Sequence, residues 1–389
     1  MVGVSYDRFT YEPLTPRMCK IDFGQNFEAF MREKPKNQPW FFWLGSTDPH
    51  RTYEYGSGVR HGKKLSDIDR VPDCWPDTEE VRNDMLDYAL EIENFDQNVA
   101  RTLDVLEKSG EMDNTLIIIT SDNGMPFPYA KGNLYPLATH MPLAMMWKNG
   151  IAAPGRTVDD FVSFIDFAPT ILDVAGIAPE DTKMHPFAGE SLMPVFVSEN
   201  SGRVVPHRNR VILGRERTDL GRPHDAGYPI RAIIRDNLIY LHNFEPTRWP
   251  GANPETGYRD TDDGPTKTAV LESRDGDDQH RFWQRCYGFR PKMELFDLDA
   301  DPYGTNNLAP TQTAKCDELR EELFAVLKAQ EDPRMLGQGH IFDEYPHHNE
   351  LLRGYYERWL ATEGADPEVR KQLLQKAEED RKKAQETKL

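Results

Sequence analysis

Thr115-Leu-Ile-Ile-Ile-Thr-Ser-Asp-Asn-Gly124 is the stretch of sequence that decides the fold. Its first part, Thr115 to Thr120, is rich in β-branched residues and predicts a central strand, because such side chains fit a pleated, half-buried surface. The residues from Asp77 to Gly110 come before it and repeat apolar positions every three or four residues, which predicts a long amphipathic helix. A run of aromatic and aliphatic residues, Pro39 to Gly45, precedes that helix and predicts a strand buried on both faces. The order strand, helix, strand predicts an α/β fold with a mostly parallel sheet and flanking helices.

The texture of the chain changes after about residue 205, where short strand-like runs alternate with loops rich in Pro and Gly. This texture predicts a smaller C-terminal α+β lobe with a short antiparallel sheet. The further elements that the sequence predicts are a strand at Pro142 to Trp147, a helix at Phe164 to Gly176, strands at Val211 to Gly214, Arg231 to Arg235 and Leu238 to Leu241, and a helix at Asp317 to Gln330. We therefore expect an α/β unit at residues 1–200, an antiparallel-sheet subdomain at 201–335, and an extension at 336–389 that ends in a charged, solvated tail.

Composition excludes several classes of protein. The formal charge of −18 argues against non-specific binding to nucleic acid, which requires an excess of Lys and Arg. No run approaches the roughly 18 apolar residues of a membrane span, so no membrane partner is expected. Four widely spaced cysteines without a Cys-x-x-Cys pair argue against a zinc knuckle and a disulfide-dense scaffold, and leave one or two disulfides open. The N-terminus shows no basic region followed by an apolar one, so no signal peptide is visible.

Asp122 and Asn123 follow the central strand directly. Ligands of open α/β sheets bind beyond the carboxyl ends of the strands, so both side chains are expected at the crevice where a site would form. A carboxylate oxygen beside an amide oxygen suits a hard cation, Ca²⁺ or Mg²⁺. A simple turn is the alternative, because Asp-Asn-Gly favours turns on its own account.

His50 comes just after the run from Pro39 to Gly45. If that run and the central strand share one sheet, His50 and Asp122 converge on the same edge. An imidazole there could bind an anionic oxygen or relay a proton near neutral pH. Lys131 lies in a loop that two prolines stiffen, so it could be held over the site as a point charge. The alternatives are a loop histidine and an ordinary surface lysine.

Together these motifs closely resemble the type I sulfatase family of the alkaline phosphatase-like superfamily, and especially its sulfamidase (heparan N-sulfatase) branch. The resemblance covers about Pro39 to Pro310 and continues into the C-terminal lobe. The matching segments are Phe41-Phe42 with Asp48-Pro-His-Arg51, Asp113 to Pro128, Asn133-Leu-Tyr135, Val162 to Asp173, Tyr228 to Ile233, and Met293 to Pro302 with Asn306-Asn-Leu308.

The resemblance implies roles for individual residues. Asp122 and Asn123 would ligate a calcium ion, and His50 and Lys131 would contact the sulfate group. Selectivity in such enzymes often comes from the C-terminal lobe, where the basic loop from Gly214 to Asp225 offers three candidate substrate-binding residues. These are Arg217, Arg222 and His224. Relatives carry His at the position of Thr218, and arginines paired with Glu216 and Asp219 in a structural loop are the alternative.

The family mechanism uses a Cys or Ser in Cys/Ser-x-Pro-x-Arg, oxidised to formylglycine, as the nucleophile. The sequence contains no such motif: the run at Cys74 lacks the Arg, and the run at Cys286 lacks the Pro. By resemblance the nucleophile and further metal ligands belong upstream of Met1. We therefore expect a truncated chain that is inactive alone, with a missing N-terminal segment or a homo-oligomer covering the exposed edge of its sheet.

The expected function is hydrolysis of sulfate esters or sulfamates on sulfated sugars such as N-sulfoglucosamine, as in glycosaminoglycan degradation. Two alternatives stay open: a phosphate or phosphonate monoester hydrolase of the same superfamily, and a non-catalytic glycan-binding homologue. The resemblance implies a periplasmic, secreted or lysosomal location.

Overall fold

A computed structural model describes residues 4–362, which form a mixed assembly of helices and two sheets. The helices are α1 (Phe23–Glu33), α2 (Ser57–Arg60), α3 (Glu79–Ser109), α4 (Pro136–Thr139), α5 (Phe167–Ala175), α6 (Met193–Phe196), α7 (Pro265–Glu272), α8 (His280–Tyr287), α9 (Thr313–Ala329), α10 (Ile341–Glu344) and α11 (Tyr355–Ala361). The strands are β1 (Ile117–Thr120), β2 (Leu143–Met146), β3 (Arg210–Arg215), β4 (Ile230–Arg235), β5 (Leu238–Asn243) and β6 (Met293–Asp297). The charged tail predicted from Asp366 onward lies outside the described residues.

The long helix predicted from the apolar repeat is α3, and its ends are those that the sequence indicates. Thr78 is the N-cap: its side chain accepts a hydrogen bond from the backbone N–H of Val81, which satisfies one of the donors left open at a helix start. Gly110 ends the helix with φ of 78°, a left-handed conformation that glycine adopts without strain. The helix therefore begins and ends for reasons that are visible in the sequence.

The predicted strands around the central stretch form, but their pairing is antiparallel. β1 and β2 make a two-stranded sheet in which Ile117 pairs with Met146 and Thr120 with Leu143. Parallel pairing within residues 4–362 is confined to an isolated bridge between Val158 and Gly202. The parallel βαβ unit predicted from the order of elements is thus absent from the described residues.

The prediction of a buried strand at Pro39 to Gly45 is wrong. These residues form neither a helix nor a strand within the described part of the chain. One face packs on α1 through Phe42, whose ring lies 4.9 Å from that of Phe27. The other face is open, with Phe41 68% and Trp43 78% exposed. Without a neighbouring strand or covering helix, an apolar run can bury only one of its two faces.

The C-terminal antiparallel sheet is confirmed, with strand order β3-β4-β5-β6. The predicted helix is α9, which packs leucines such as Leu319 and Leu323 against Ile233 and Leu295 on one face of this sheet. The other face joins the largest apolar cluster, which includes Trp75 from the N-terminal side of the chain. The two predicted units therefore share a core, and their boundary near residue 200 stays a prediction.

Two further expectations concern the whole chain. All four cysteines are buried and free, so neither of the disulfides left open by the sequence is formed. None of the helices within residues 4–362 has the length and apolar character needed to span a bilayer.

Candidate functional site

Lys131 and His50 meet although 81 residues separate them in the sequence. The ammonium nitrogen Nζ of Lys131 lies 3.2 Å from Nε2 of His50. The other ring nitrogen, Nδ1, lies 2.6 Å from the carbonyl oxygen of Arg51 and can only donate to it. Because the ammonium group of Lys131 can only donate, Nε2 accepts this hydrogen bond and carries no proton. The pair places one cation and one imidazole together at an exposed point of the surface, whereas the sequence analysis expected His50 to converge with Asp122.

A buried ion pair fixes the segment that carries His50. The guanidinium of Arg51 donates to both carboxylate oxygens of Asp84 on α3, at 2.7 and 2.6 Å. Its Nε donates to the carbonyl oxygen of Pro126, which belongs to the loop that leads to Lys131. Asp84 also accepts two hydrogen bonds from Thr266 at the start of α7. Arg51 thus ties together the His50 segment, the Lys131 loop and the C-terminal part of the chain.

A second buried contact lies under the same segment. The carboxylate of Asp48 accepts hydrogen bonds from the backbone N–H of Cys19, at 2.8 Å, and from the side chain of Asn94, at 2.7 Å. The carboxyl of Glu91 lies beside it and is 1% exposed. Burial first, and the neighbouring Asp48 carboxylate second, raise the pKa of Glu91 to about 8. Glu91 is therefore protonated at neutral pH and can share its proton with Asp48.

Asp122 and Asn123 begin the loop that ends at Lys131. Gly124 packs so tightly that an added Cβ would lie 2.0 Å from the carbonyl oxygen of Leu137, so only glycine fits there. The side-chain amide of Asn123 donates to the carbonyl oxygen of Gly124 at 2.8 Å, and the carboxylate of Asp122 is exposed. Among the described residues, neither side chain forms a hydrogen bond or ion pair with His50 or Lys131. They share the loop with Lys131 rather than touching it.

These two oxygens fit a hard cation as part of a ligand set, but not as a complete one. Within residues 4–362 no group of three or more His, Cys, Asp or Glu side chains could hold a metal ion. Calcium takes about six to eight oxygen ligands. Further ligands would have to complete the set around Asp122 and Asn123.

An acidic residue that the sequence analysis missed completes the cluster around Lys131. Oδ2 of Asp262 lies 3.0 Å from Nζ of Lys131, and both side chains are 26% exposed. Asp219 lies near this pair, and its pKa is raised by burial first and then by Asp260 and Asp262. The acidic run from Arg259 to Asp263 is visible in the sequence, but nothing in it indicates which carboxylate turns toward Lys131.

The basic loop from Gly214 to Asp225 approaches the cluster through Thr218, since an added Cβ at Gly132 would lie 3.0 Å from its methyl group. Arg217 turns away from this point and donates to the carbonyl oxygens of Phe342 and Tyr345, both at 2.8 Å. The arginines of this loop do not pair with Glu216 or Asp219, because Glu216 is taken by Arg231 and Arg334.

The other two predicted substrate contacts, Arg222 and His224, differ in their access to solvent. Arg222 is 3% exposed, and its guanidinium binds the carbonyl oxygens of Trp249 and Pro250 and the carboxylate of Asp260. The ligand contact predicted for Arg222 would require this network to open. The side chain of His224 is 90% exposed, with Nδ1 3.6 Å from Glu357. His224 is therefore accessible, whereas Arg222 is committed to the protein.

Comparison with known proteins shows that this chain is similar to sulfatases. Residues 5–177 match the family model described as Sulfatase. The chain is 28% identical over 352 residues to human N-sulphoglucosamine sulphohydrolase, covering 81% of this chain and 67% of the human protein. It is also 28% identical over 278 residues to an ulvan-active sulfatase of Formosa agariphila, covering 70% of this chain and 43% of that protein. The chain thus spans less than half the length of the second relative.

The fold is similar to that of solved structures as well. The sulfatase yidJ of Bacteroides fragilis superposes with a TM-score of 0.57 at 18% identity, covering 83% of this chain and 59% of that one. This likeness confirms the predicted alkaline phosphatase-like fold class. The family expectation drawn from the motifs at Asp48 to Arg51 and Asp113 to Pro128 is confirmed as well. The chain therefore matches the sulfatase family over residues 5–177, and over most of its length it is similar to a sulfohydrolase of that kind.

Proposed function

We propose that this chain forms the sulfate-binding part of an active site that hydrolyses sulfate esters or sulfamates on sugars, with an N-sulfoglucosamine-like substrate. The hydrogen bond between Lys131 and His50 carries the proposal, because it sets a cation and an imidazole together on the surface. The similarity to human N-sulphoglucosamine sulphohydrolase supports the substrate class. The location expected for this activity is periplasmic, secreted or lysosomal.

Each residue has a distinct task in this proposal. Lys131 binds a sulfo oxygen as a point charge, and the unprotonated Nε2 of His50 accepts a proton or, once protonated, donates to a second oxygen. Asp122 and Asn123 supply two of the oxygen ligands of a calcium ion, which would draw charge from the sulfo group when bound. His224 is proposed to contact the sugar, and the same role for Arg217 requires it to release the carbonyl oxygens of Phe342 and Tyr345. Arg51 and Asp84 hold the segment of His50 and the loop of Lys131 in place relative to each other.

Turnover needs a nucleophile that these 389 residues do not provide as Cys/Ser-x-Pro-x-Arg. We therefore expect the chain to bind a sulfated sugar without releasing sulfate from it. Measurable sulfate release from a sulfated glycan fragment by this exact chain would refute the inactivity. Reading the coding DNA immediately upstream of Met1 tests whether the motif is encoded there in frame.

Binding tests the site itself. N-sulfoglucosamine titrated into the full chain should shift the imidazole resonances of His50 in an NMR spectrum, and Lys131→Ala should weaken binding by about tenfold or more, the loss expected for one charge-assisted hydrogen bond. Lys148→Ala is the matched control, because Lys148 is an exposed lysine paired with Asp113. Equal affinities for Lys131→Ala and the unmodified chain would overturn the proposal. Glucosamine 6-phosphate is titrated in parallel. Tighter binding of this phosphate ester than of N-sulfoglucosamine would favour the alternative function, hydrolysis of phosphate monoesters.

A further inference from the structure

Asp262 is the carboxylate that neutralises Lys131 in the absence of ligand. Its Oδ2 lies 3.0 Å from Lys131 Nζ, whose other contact is the ring nitrogen Nε2 of His50 at 3.2 Å. Within residues 4–362, Lys131 is the only side chain that forms an ion pair or hydrogen bond with the carboxylate of Asp262. An anion that binds the same ammonium group must share it with Asp262 and lies close to that carboxylate.

The other charged groups around Lys131 do not remove the repulsion between Asp262 and a bound anion. Asp260 lies two positions away but is buried and bound to Arg215 and Arg222. Asp219 is half-buried and adds negative character, while the nearby His347 is buried. Lys267 is a further cation near Asp262, but its ammonium group is bound to Asp263, so an anion bound to Lys131 still lies beside the negative charge of Asp262. At a partly exposed position such a repulsion, over a few ångströms, is large enough to change an affinity by an order of magnitude.

Two kinds of anion differ in how they meet this carboxylate. Inorganic sulfate carries acceptor oxygens only, so it can donate no hydrogen bond to the carboxylate of Asp262. A sulfated sugar carries hydroxyl or sulfamate N–H donors next to its sulfo group. One of these donors can replace the lysine as the hydrogen-bond partner of Asp262, since an ionised carboxylate accepts strong, charge-assisted hydrogen bonds.

We propose that Asp262 is a specificity-determining residue that favours a sulfated sugar with a neighbouring hydroxyl or N–H donor over free sulfate. This inference rests on the proposed function of Lys131 and His50 and extends it to a residue that no motif indicated. The carboxylate then has two effects at one place: it holds Lys131 before the ligand arrives, and it weakens the hold on the free sulfate that hydrolysis would release.

The test compares two ligands in one variant. Sodium sulfate and N-sulfoglucosamine are each titrated, at constant ionic strength, into the full chain and into Asp262→Asn. The substitution keeps the size of the side chain and removes its charge, so the affinity for sulfate should rise about tenfold. The affinity for the sugar should stay level or fall, so that the ratio of the two Kd values shifts about tenfold toward sulfate. A ratio within twofold of that of the unmodified chain would overturn the inference.

Two further variants keep the result interpretable. Asp113→Asn removes a carboxylate that pairs with another lysine, Lys148, and should leave the ratio unchanged. Asp262→Glu should restore most of the preference for the sugar, which a merely structural role would not predict. If Lys131→Ala binds the sugar normally, the proposed function fails. If Lys131 is required but Asp262→Asn leaves the ratio unchanged, only the present inference fails.

Discussion

Arg51 and Asp84 form a two-point ion pair in the interior, with side chains that are 5% and 2% exposed. The pair links the segment of His50 to α3, and through Pro126 to the loop of Lys131. A buried charge that loses its partner is costly, because the remaining charge has neither water nor a counter-ion. The site is thus held together by an interaction that also matters for stability.

Removing one partner of this pair should destabilise the fold. Arg51→Met is expected to lower the free energy of unfolding by about 3–5 kcal/mol. Chemical denaturation followed by fluorescence measures the change. Arg60→Met is the matched control, because the exposed pair of Arg60 with Glu54 lies in the same region and should contribute less than about 1 kcal/mol. Similar losses for both variants would contradict the structural role given to Arg51.

Glu91 should give the fold a pH dependence of a definite sign. Its pKa is raised in the folded chain from 4.5 to about 8. Between these values the folded state keeps a proton that the unfolded state loses, so the stability contributed by this group is full below pH 4.5 and falls as pH rises. The slope is about 1.4 kcal/mol per pH unit for one such group, and the loss is complete above about pH 8.

Glu91→Gln removes this titration while keeping a side chain of the same size. The variant should be more stable than the unmodified chain above pH 8 and should show a flatter dependence of stability on pH. Melting temperatures across pH 5–9 provide the measurement. Glu93→Gln, an exposed acid on the same helix that pairs with Lys63, is the control and should leave the slope in place. An unchanged slope for Glu91→Gln would mean that Glu91 is ionised at neutral pH.

Local signals in the sequence were enough to predict α3, α5 and three strands of the C-terminal sheet, β3, β4 and β5, whereas β6 was missed. Thr78 and Gly110 mark the ends of α3 because capping and left-handed backbone depend on the residue itself. The run from Pro39 to Gly45 failed for the opposite reason. Whether a strand is buried on both faces depends on what lies beside it, and no pattern within the run can report that.

The same distinction holds for the site. His50 and Lys131 were predicted from their positions after strands and in a stiff loop, and the structure places them in contact. Asp262 could not be found in this way, because its role depends on a turn that brings a segment 131 residues further along the chain back to Lys131. Arg222 illustrates the reverse case: a basic loop residue whose burial against Asp260 no local pattern reveals.

A buried and an exposed residue of the basic loop, Arg222 and His224, should differ in their effects on stability and on sugar binding. Arg222→Met is expected to lower the free energy of unfolding by about 1–3 kcal/mol, because it leaves the buried carbonyl oxygen of Trp249 without this donor, while Asp260 keeps Arg215. His224→Ala should leave stability within about 0.5 kcal/mol, since the side chain is exposed, and should weaken binding of N-sulfoglucosamine if it contacts the sugar as proposed. Thermal melts and sugar titrations of both variants check this. A stable Arg222→Met would show that the buried network is dispensable.

The open face of the run from Pro39 to Gly45 should make the isolated chain associate with itself. Phe41 and Trp43 are large, mostly exposed apolar side chains in a segment that pairs with no strand among the described residues, a combination that favours association. Substituting both by Ser should reduce self-association, because it removes the apolar contact while leaving Phe42 packed on α1. Sedimentation velocity over a range of concentrations measures the change. Leu351→Ser is the control, since Leu351 is 84% exposed but stands far along the chain from this run, and it should leave the association unchanged. If the double variant associates as strongly as the unmodified chain, this face is not the one through which copies meet.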